Sequence, residues 1–282
     1  MLTPPEPLPF LQERLNYYVK TSETSFLHPE TTPFTLNLGR GRSTYQLDLW
    51  EVYRRFPPGL KVACVFGDNI REPDTPALVK SRPVPTDRSN AILFRLNHIR
   101  HFSFINDPLP YTAKRNQLVW RGNAFQPQRR AFLERYFDHP LCNVGHYHKK
   151  PQPEIPWTRR PLSIREQLKY KFILAIEGND VATNLKWAMA SNSLCFMARP
   201  KYETWFMEGA LQPGVHYAQL AEDYSDLEEN LDHYLSHPGE AETIIRAANA
   251  WTRQFRTSAH EQYLTHAVLA AYFNLTGQGT FP

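Results

Sequence analysis

Between Lys169 and Tyr217 the spacing of apolar residues changes twice, and this change limits the fold more than any other feature of the chain. A short apolar run, Phe172 to Ile176, ends in the turn cluster Glu177-Gly178-Asn179-Asp180. Apolar residues then recur at helical spacing, at Val181, Leu185, Ala188 and Met189. A second run, Leu194 to Met197, follows and is closed by Arg199-Pro200. Strand, turn, helix, strand is a βαβ unit, and its crossover is right-handed. Ligands of such sheets lie beyond the carboxyl ends of the strands, where the helix begins. Here that point spans Gly178, Asn179, Asp180, Val181, Ala182, Thr183 and Asn184. A helix N-terminus offers unpaired N–H groups to a phosphate, and Gly178 allows a sharp turn and a close approach. Capping of the helix by Asn179 or Asp180 explains the same residues without a ligand.

The same grammar appears twice more. Lys61 to Phe66 reads as a buried strand ending in Gly67-Asp68-Asn69, which puts an acid at a strand end. An Asx turn is the alternative for Asp68 and Asn69. Leu118-Val119-Trp120 reads as a strand, Arg121-Gly122-Asn123 as its exit turn, and Gln126-Pro127 as the start of a helix. That helix carries Arg129 and Arg130, so Arg121 and Arg129 flank a turn where arginine suits a phosphate. As an alternative, Arg129 and Arg130 are solvated helix charges, the favoured reading for Arg130. Residues 70–88 hold four prolines and are expected to form a long loop, and residues 138–160 are expected to be irregular. Gly39 to Arg42 reads as a turn.

With 41% hydrophobic and 21% charged residues, the chain can bury a sizeable core. Its 282 residues suggest two α/β domains, residues 1–112 and 113–282, the second ending in helices. The formal net charge of +4 suits a phosphorylated substrate or an anionic surface and is too small to argue for nucleic acid. Cys64, Cys142 and Cys195 are widely spaced and odd in number, as reduced core cysteines are. His139, His146 and His148 lack the spacing of a metal site. The N-terminus has no basic start or apolar h-region, and no run nears the ~18 apolar residues of a membrane span. A cytoplasmic protein is the expectation.

The ordered motifs Gly67-Asp68-Asn69, Lys80-Ser81-Arg82-Pro83, Arg100-His101-Phe102, Trp120-Arg121-Gly122-Asn123 with Arg129, Lys169-Tyr170-Lys171, Glu177-Gly178, Leu185-Lys186, Ser191-Asn192-Ser193 and Val215-His216-Tyr217 resemble glycosyltransferase family 90. The likeness covers about residues 60–255 and is strongest to the bacterial lipopolysaccharide branch. It implies a GT-B-like fold, in which two Rossmann-like domains face each other across a cleft. The N-terminal domain would be the acceptor side and the C-terminal domain the nucleotide-sugar side.

The resemblance further implies inverting transfer from a UDP-sugar, without metal or cofactor, to a hydroxyl of a cell-surface glycan such as lipopolysaccharide. Contact with the inner face of the cytoplasmic membrane would then be peripheral. Asp68 matches the family's base, and Asn123 and Arg129 match residues that hold the donor. The 179–184 turn would cradle its diphosphate, with Arg121 nearby. Eukaryotic members carry an arginine near Asn184; Lys186 is the nearest cation that would replace it. Glu203 would accept hydrogen bonds from ribose hydroxyls, as acidic residues often do in nucleotide sites; a carboxylate at a helix start is the alternative. A non-catalytic nucleotide-sugar-binding scaffold and a protein O-glycosyltransferase are the alternatives.

Overall fold

The computed structural model describes residues 5, 8–21, 27–37, 43–84, 87–150, 152 and 154–282; the turn expected at residues 39–42 lies outside them. Among the described residues, helices α1 (Leu8–Tyr18) and α2 (Ser43–Tyr53) come first. Strands β1 (Cys64–Val65), β2 (Ala77–Val79), β3 (Ser81–Pro83) and β4 (Ala91–Leu93) and the one-turn helix α3 (His98–His101) follow. Next are β5 (Arg115–Gly122), α4 (Pro127–Tyr136), β6 (Cys142–His146), α5 (Ile164–Gln167), β7 (Tyr170–Leu174), α6 (Leu185–Met189) and β8 (Leu194–Ala198). The chain ends with β9 (Tyr202–Thr204), β10 (Ala218–Leu220) and helices α7 (Leu227–Ser236), α8 (Pro238–Arg253) and α9 (Ser258–Leu275).

Two compact units result, and they interleave along the chain. Unit 1 comprises Met1–Phe102, Lys201–Gly209 and Phe255–Pro282; unit 2 comprises Ser103–Pro200 and Ala210–Gln254. This division differs from a single boundary at residue 112. Within unit 1, β9 pairs with β3 and α9 packs on α1 and α2, so both returning segments group with the N-terminal residues.

Unit 2 is a five-stranded, all-parallel sheet in the order β10-β8-β7-β5-β6. Parallel sheets are covered on both faces, which is why their strands read as continuous apolar runs. Phe172, Ile173 and Leu174 of β7 are fully buried, each worth about 1.5–3 kcal/mol relative to exposure. One face packs Trp120, Phe172 and Phe196 against Phe132 and Leu133 of α4, Leu231 of α7 and Ile244 of α8. Chain order runs outward from β5 in both directions, so the topological switch point lies between β5 and β7.

Unit 1 holds a three-stranded parallel sheet, β1-β2-β4, and the antiparallel pair β3-β9. Here the sequence expectations need correction. Residues 70–88 are not structureless, because β2 and β3 lie within them. Pro73 and Pro76 precede β2 and Pro83 closes β3, positions that spare the ladder its missing N–H. The strand expected over Lys61–Phe66 shortens to Cys64–Val65. In unit 2, residues 138–160 contain the edge strand β6, whose Asn143, Gly145 and His146 dilute its apolar pattern. The helix expected from Val181 starts only at Leu185.

Candidate functional site

The loops that leave β5 and β7 flank the switch point of unit 2, where open α/β sheets bind ligands. Arg129, in the first turn of α4, joins them. Its Nη1 donates to the Asn123 carbonyl (2.9 Å), its Nε to that of Glu177 (3.1 Å) and its Nη2 to that of Ile176 (2.9 Å). The guanidinium also lies over the Trp120 ring, 5.6 Å from its centre. A Cβ on Gly178 would lie 3.0 Å from Arg129 Nη2, so any larger residue there would push the guanidinium aside by a few tenths of an ångström. Gln128 Nε2 reaches the carbonyls of Glu177 (3.2 Å) and Gly178 (3.0 Å), and Gln126 Nε2 reaches Asn179 Oδ1 (3.1 Å). Neither glutamine carried a signal in the sequence, because an isolated glutamine fits any helix start.

The β7 loop spends its hydrogen bonds unlike a capped helix. Gly178 N–H donates to the Asp180 carbonyl (2.8 Å), and Asn184 Nδ2 donates back to that of Leu174 (2.8 Å). The N-cap of α6 is Asn184, with no side-chain capping bond, so neither Asn179 nor Asp180 caps it. Among the described residues, the main-chain N–H groups of Val181, Ala182, Thr183 and Asn184 have no acceptor, although Val181 and Ala182 are each only 3% exposed. Unpaired N–H groups in buried segments are rare, and consecutive ones in a turn are the usual makings of an anion cradle. Asn123 adds its side-chain amide; its Oδ1 is taken by the N–H of Phe125 (3.0 Å).

The structure thus brings together Asn123, Arg129 and residues 178–184. It does not bring Arg121 to them. Strand alternation turns Arg121 to the sheet face opposite Trp120, where it donates to the carbonyls of Arg160 (2.9 Å) and Asn143 (2.7 Å). Lys186 is fully buried, as are the other four residues of α6. Glu203 belongs to unit 1, is 1% exposed, and its Oε1 pairs with Arg82 Nε at 2.7 Å while its Oε2 accepts from the Tyr17 hydroxyl. A carboxylate held this way is a structural ion pair in mid-strand.

Asp68 follows β1 in unit 1, after Gly67, whose φ of 107° suits glycine alone. Its Oδ1 lies 2.5 Å from Lys80 Nζ; the lysine side chain is 3% exposed and that of Asp68 32%. The Asx turn falls to Asn69, whose Oδ1 accepts from the N–H of Arg71 (3.4 Å) and whose Nδ2 donates to the Arg71 carbonyl (2.8 Å), while Ser81 Oγ donates to the carbonyl of Asn69 (3.1 Å). His146 is buried, its Nδ1 accepting from the N–H of Ala124 (3.1 Å), and burial pushes its pKa down. Among the described residues no three His, Cys, Asp or Glu side chains gather as a metal site. Nor is any helix among them long and apolar enough to cross a membrane.

Comparison with known proteins shows the family of the chain. The sequence model of glycosyl transferase family 90 matches residues 97–277. The chain is 46% identical over 266 residues to the O-glucosyltransferase LpsA of Dichelobacter nodosus, covering 94% of this chain and 83% of that protein. It is 27% identical over 146 residues to protein O-glucosyltransferase 2 of Danio rerio, covering 50% of this chain and 29% of that one.

Proposed function

We propose a reaction from the premise that this chain belongs to glycosyltransferase family 90. It moves a sugar from a donor to a glycan acceptor. The donor is a UDP-sugar, and the sugar is glucose, since both relatives above are named O-glucosyltransferases. The acceptor is a hydroxyl of a cell-surface glycan, for which lipopolysaccharide is the candidate that the resemblance supplies, met in the cytoplasm at the membrane's inner face. The arrangement is GT-B, with unit 2 holding the donor and unit 1 supplying the base.

One observation supports the donor assignment above the others. Four consecutive N–H groups, Val181 to Asn184, lack acceptors at the switch point of a parallel sheet, on a loop tied to Arg129. This cradle suits a diphosphate. Arg129 is oriented by three backbone carbonyls, which fix its position at the loop, as preorganised stabilisation requires.

The transfer is inverting. The acceptor oxygen attacks the anomeric carbon opposite the diphosphate and passes its proton to the Asp68 carboxylate. The new C–O bond forms as the bond to the diphosphate breaks, and the diphosphate leaves with the bonding electrons. Its charge is met by Arg129 and the loop amides, and the transfer runs without a metal. Lys80, 2.5 Å from Asp68 Oδ1, orients the base.

Melting of the chain with UDP-glucose in the presence of a chelator tests the donor. A nucleotide sugar at about a hundred times its Kd should add about 2.7 kcal/mol of stability. No stabilisation by any UDP-sugar, or stabilisation only when a divalent metal is restored, sinks this reading.

A further inference from the structure

Unit 2 carries a second basic cluster on the sheet face that Arg121 shares. Arg121 of β5 is in register with Gly145 of β6, so both point to that face. A Cβ at Gly145 would fall 2.7 Å from Arg159 Cγ, so glycine there makes room for the Arg159 stem to lie across the sheet. Arg121, Asn143, Arg159, Arg160 and Leu162 line a cavity of about 290 Å³. Three guanidinium groups therefore border one small space.

Their donors are only partly used. Arg121 donates from Nε to the Arg160 carbonyl, from Nη1 to the carbonyls of Trp120 and Asn143, and from Nη2 to Asn143 Oδ1. These bonds hold its fork rigid. Arg159 donates from Nη2 to the Phe137 carbonyl (2.8 Å) and stacks on the Phe137 ring, 4.4 Å away, but its Nε is buried with no acceptor. Arg160 donates from Nη1 to the Pro161 carbonyl (3.2 Å) and to Glu166 Oε1 (2.8 Å). Glu166 stays ionised, its pKa pushed down to about 2, first by the hydrogen bond from Arg160. Three positive charges against this one carboxylate leave two uncompensated.

Burial, and next the charge of Arg159, push the Arg121 pKa down to about 10, so the cluster is strained electrostatically as it stands. A phosphate monoester carries about −1.5 to −2 at neutral pH and accepts the paired N–H groups of guanidinium. Charge and donor geometry both fit it. We propose that Arg121, Arg159 and Arg160 form a phosphate-monoester site, separate from the donor loops of the same unit. It stands whether or not the glycosyl-transfer reading does, and it gives Arg121 a ligand on its own side of the sheet.

Calorimetric titration of the full chain with inorganic phosphate tests the site, alongside Arg129→Ala, which removes the cation of the donor loops. The double variant Arg159→Gln/Arg160→Gln should bind at least about tenfold more weakly than the wild type, since it removes two of the three guanidinium groups, and Arg129→Ala should keep this binding. Arg160→Gln alone changes a side chain that is 70% exposed and leaves the fold in place; it should weaken binding several-fold. Affinity within about twofold of wild type in the folded Arg160→Gln and double variants overturns the proposal. Sedimentation with phosphatidylcholine vesicles, with and without phosphatidic acid, separates two sources of the phosphate. Binding that requires both phosphatidic acid and the arginines assigns a lipid head group; phosphate binding without vesicle binding assigns a soluble ester.

Discussion

Two ion pairs leave the same short segment of unit 1, two residues apart. Arg82 meets Glu203 at 2.7 Å with side chains 0% and 1% exposed; Lys80 meets Asp68 at 2.5 Å with side chains 3% and 32% exposed. Both cations are buried, and only the carboxylates differ. Arg82 also donates to the carbonyls of Tyr17, Tyr18 and Ala91, so its charge is shared among groups that hold the unit together. Asp68 keeps a third of its side chain open to whatever approaches the end of β1. The enclosed pair is sealed from solvent, whereas the Asp68 carboxylate stays partly open to it, as the role proposed for it requires. The sequence shows four charged residues and gives no sign of which pair is which.

Substitutions should separate the two. Asp68→Asn should lower turnover by about 10²–10⁴ because the proton acceptor is lost, with a fall in melting temperature smaller than that of Arg82→Met because the new amide can still accept from Lys80. Turnover within a few-fold of wild type would remove Asp68 as the base. Arg82→Met leaves Glu203 buried without its main cation and should lower unfolding free energy by about 3–5 kcal/mol in urea denaturation. The double change Arg82→Met/Glu203→Leu should regain most of that loss; if it does not, packing rather than charge explains the single variant.

Lys80→Met should be milder in stability than Arg82→Met, since water can reach Asp68. Its effect should appear in kcat, about tenfold or more from one charge-assisted bond, with KM unchanged and Lys80→Arg partly restoring the rate. A loss confined to KM would make Lys80 a binding residue. Lys20, 3.8 Å from Glu203 Oε1 and 20% exposed, should matter least. Lys20→Gln should shift stability by under about 1 kcal/mol.

The parts of the site built from local pattern were legible in the sequence. Phe172 to Ile176 announces β7, and Gly178 its turn; Pro127 announces α4, and Arg129 follows in its first turn. What escaped was decided by distant partners. The sequence places Arg82 in a long loop and Lys186 beside the donor diphosphate, yet both are fully buried, and the Arg82 partner Glu203 is 121 residues away. The apolar spacing of Val181 with Leu185 imitated a helix, but the loop placed the side chains of Val181 and Ala182 inward while leaving their N–H groups unpaired. Arg121 was grouped with Arg129 because they are eight residues apart, while strand alternation sets them on opposite faces.

The antiparallel pairing of β3 with β9 has a consequence for synthesis. The ribosome makes Arg82 long before Glu203, and at about 5–20 residues per second the arginine waits on the order of ten seconds for its partner. During that wait Ser103–Pro200 of unit 2 emerges; its remaining segment, with β10, α7 and α8, is complete at Gln254, whereas unit 1 also needs α9, which ends at Leu275. The second unit of the chain is therefore the first that can fold as the protein is made, and the first unit closes only when the final helix arrives.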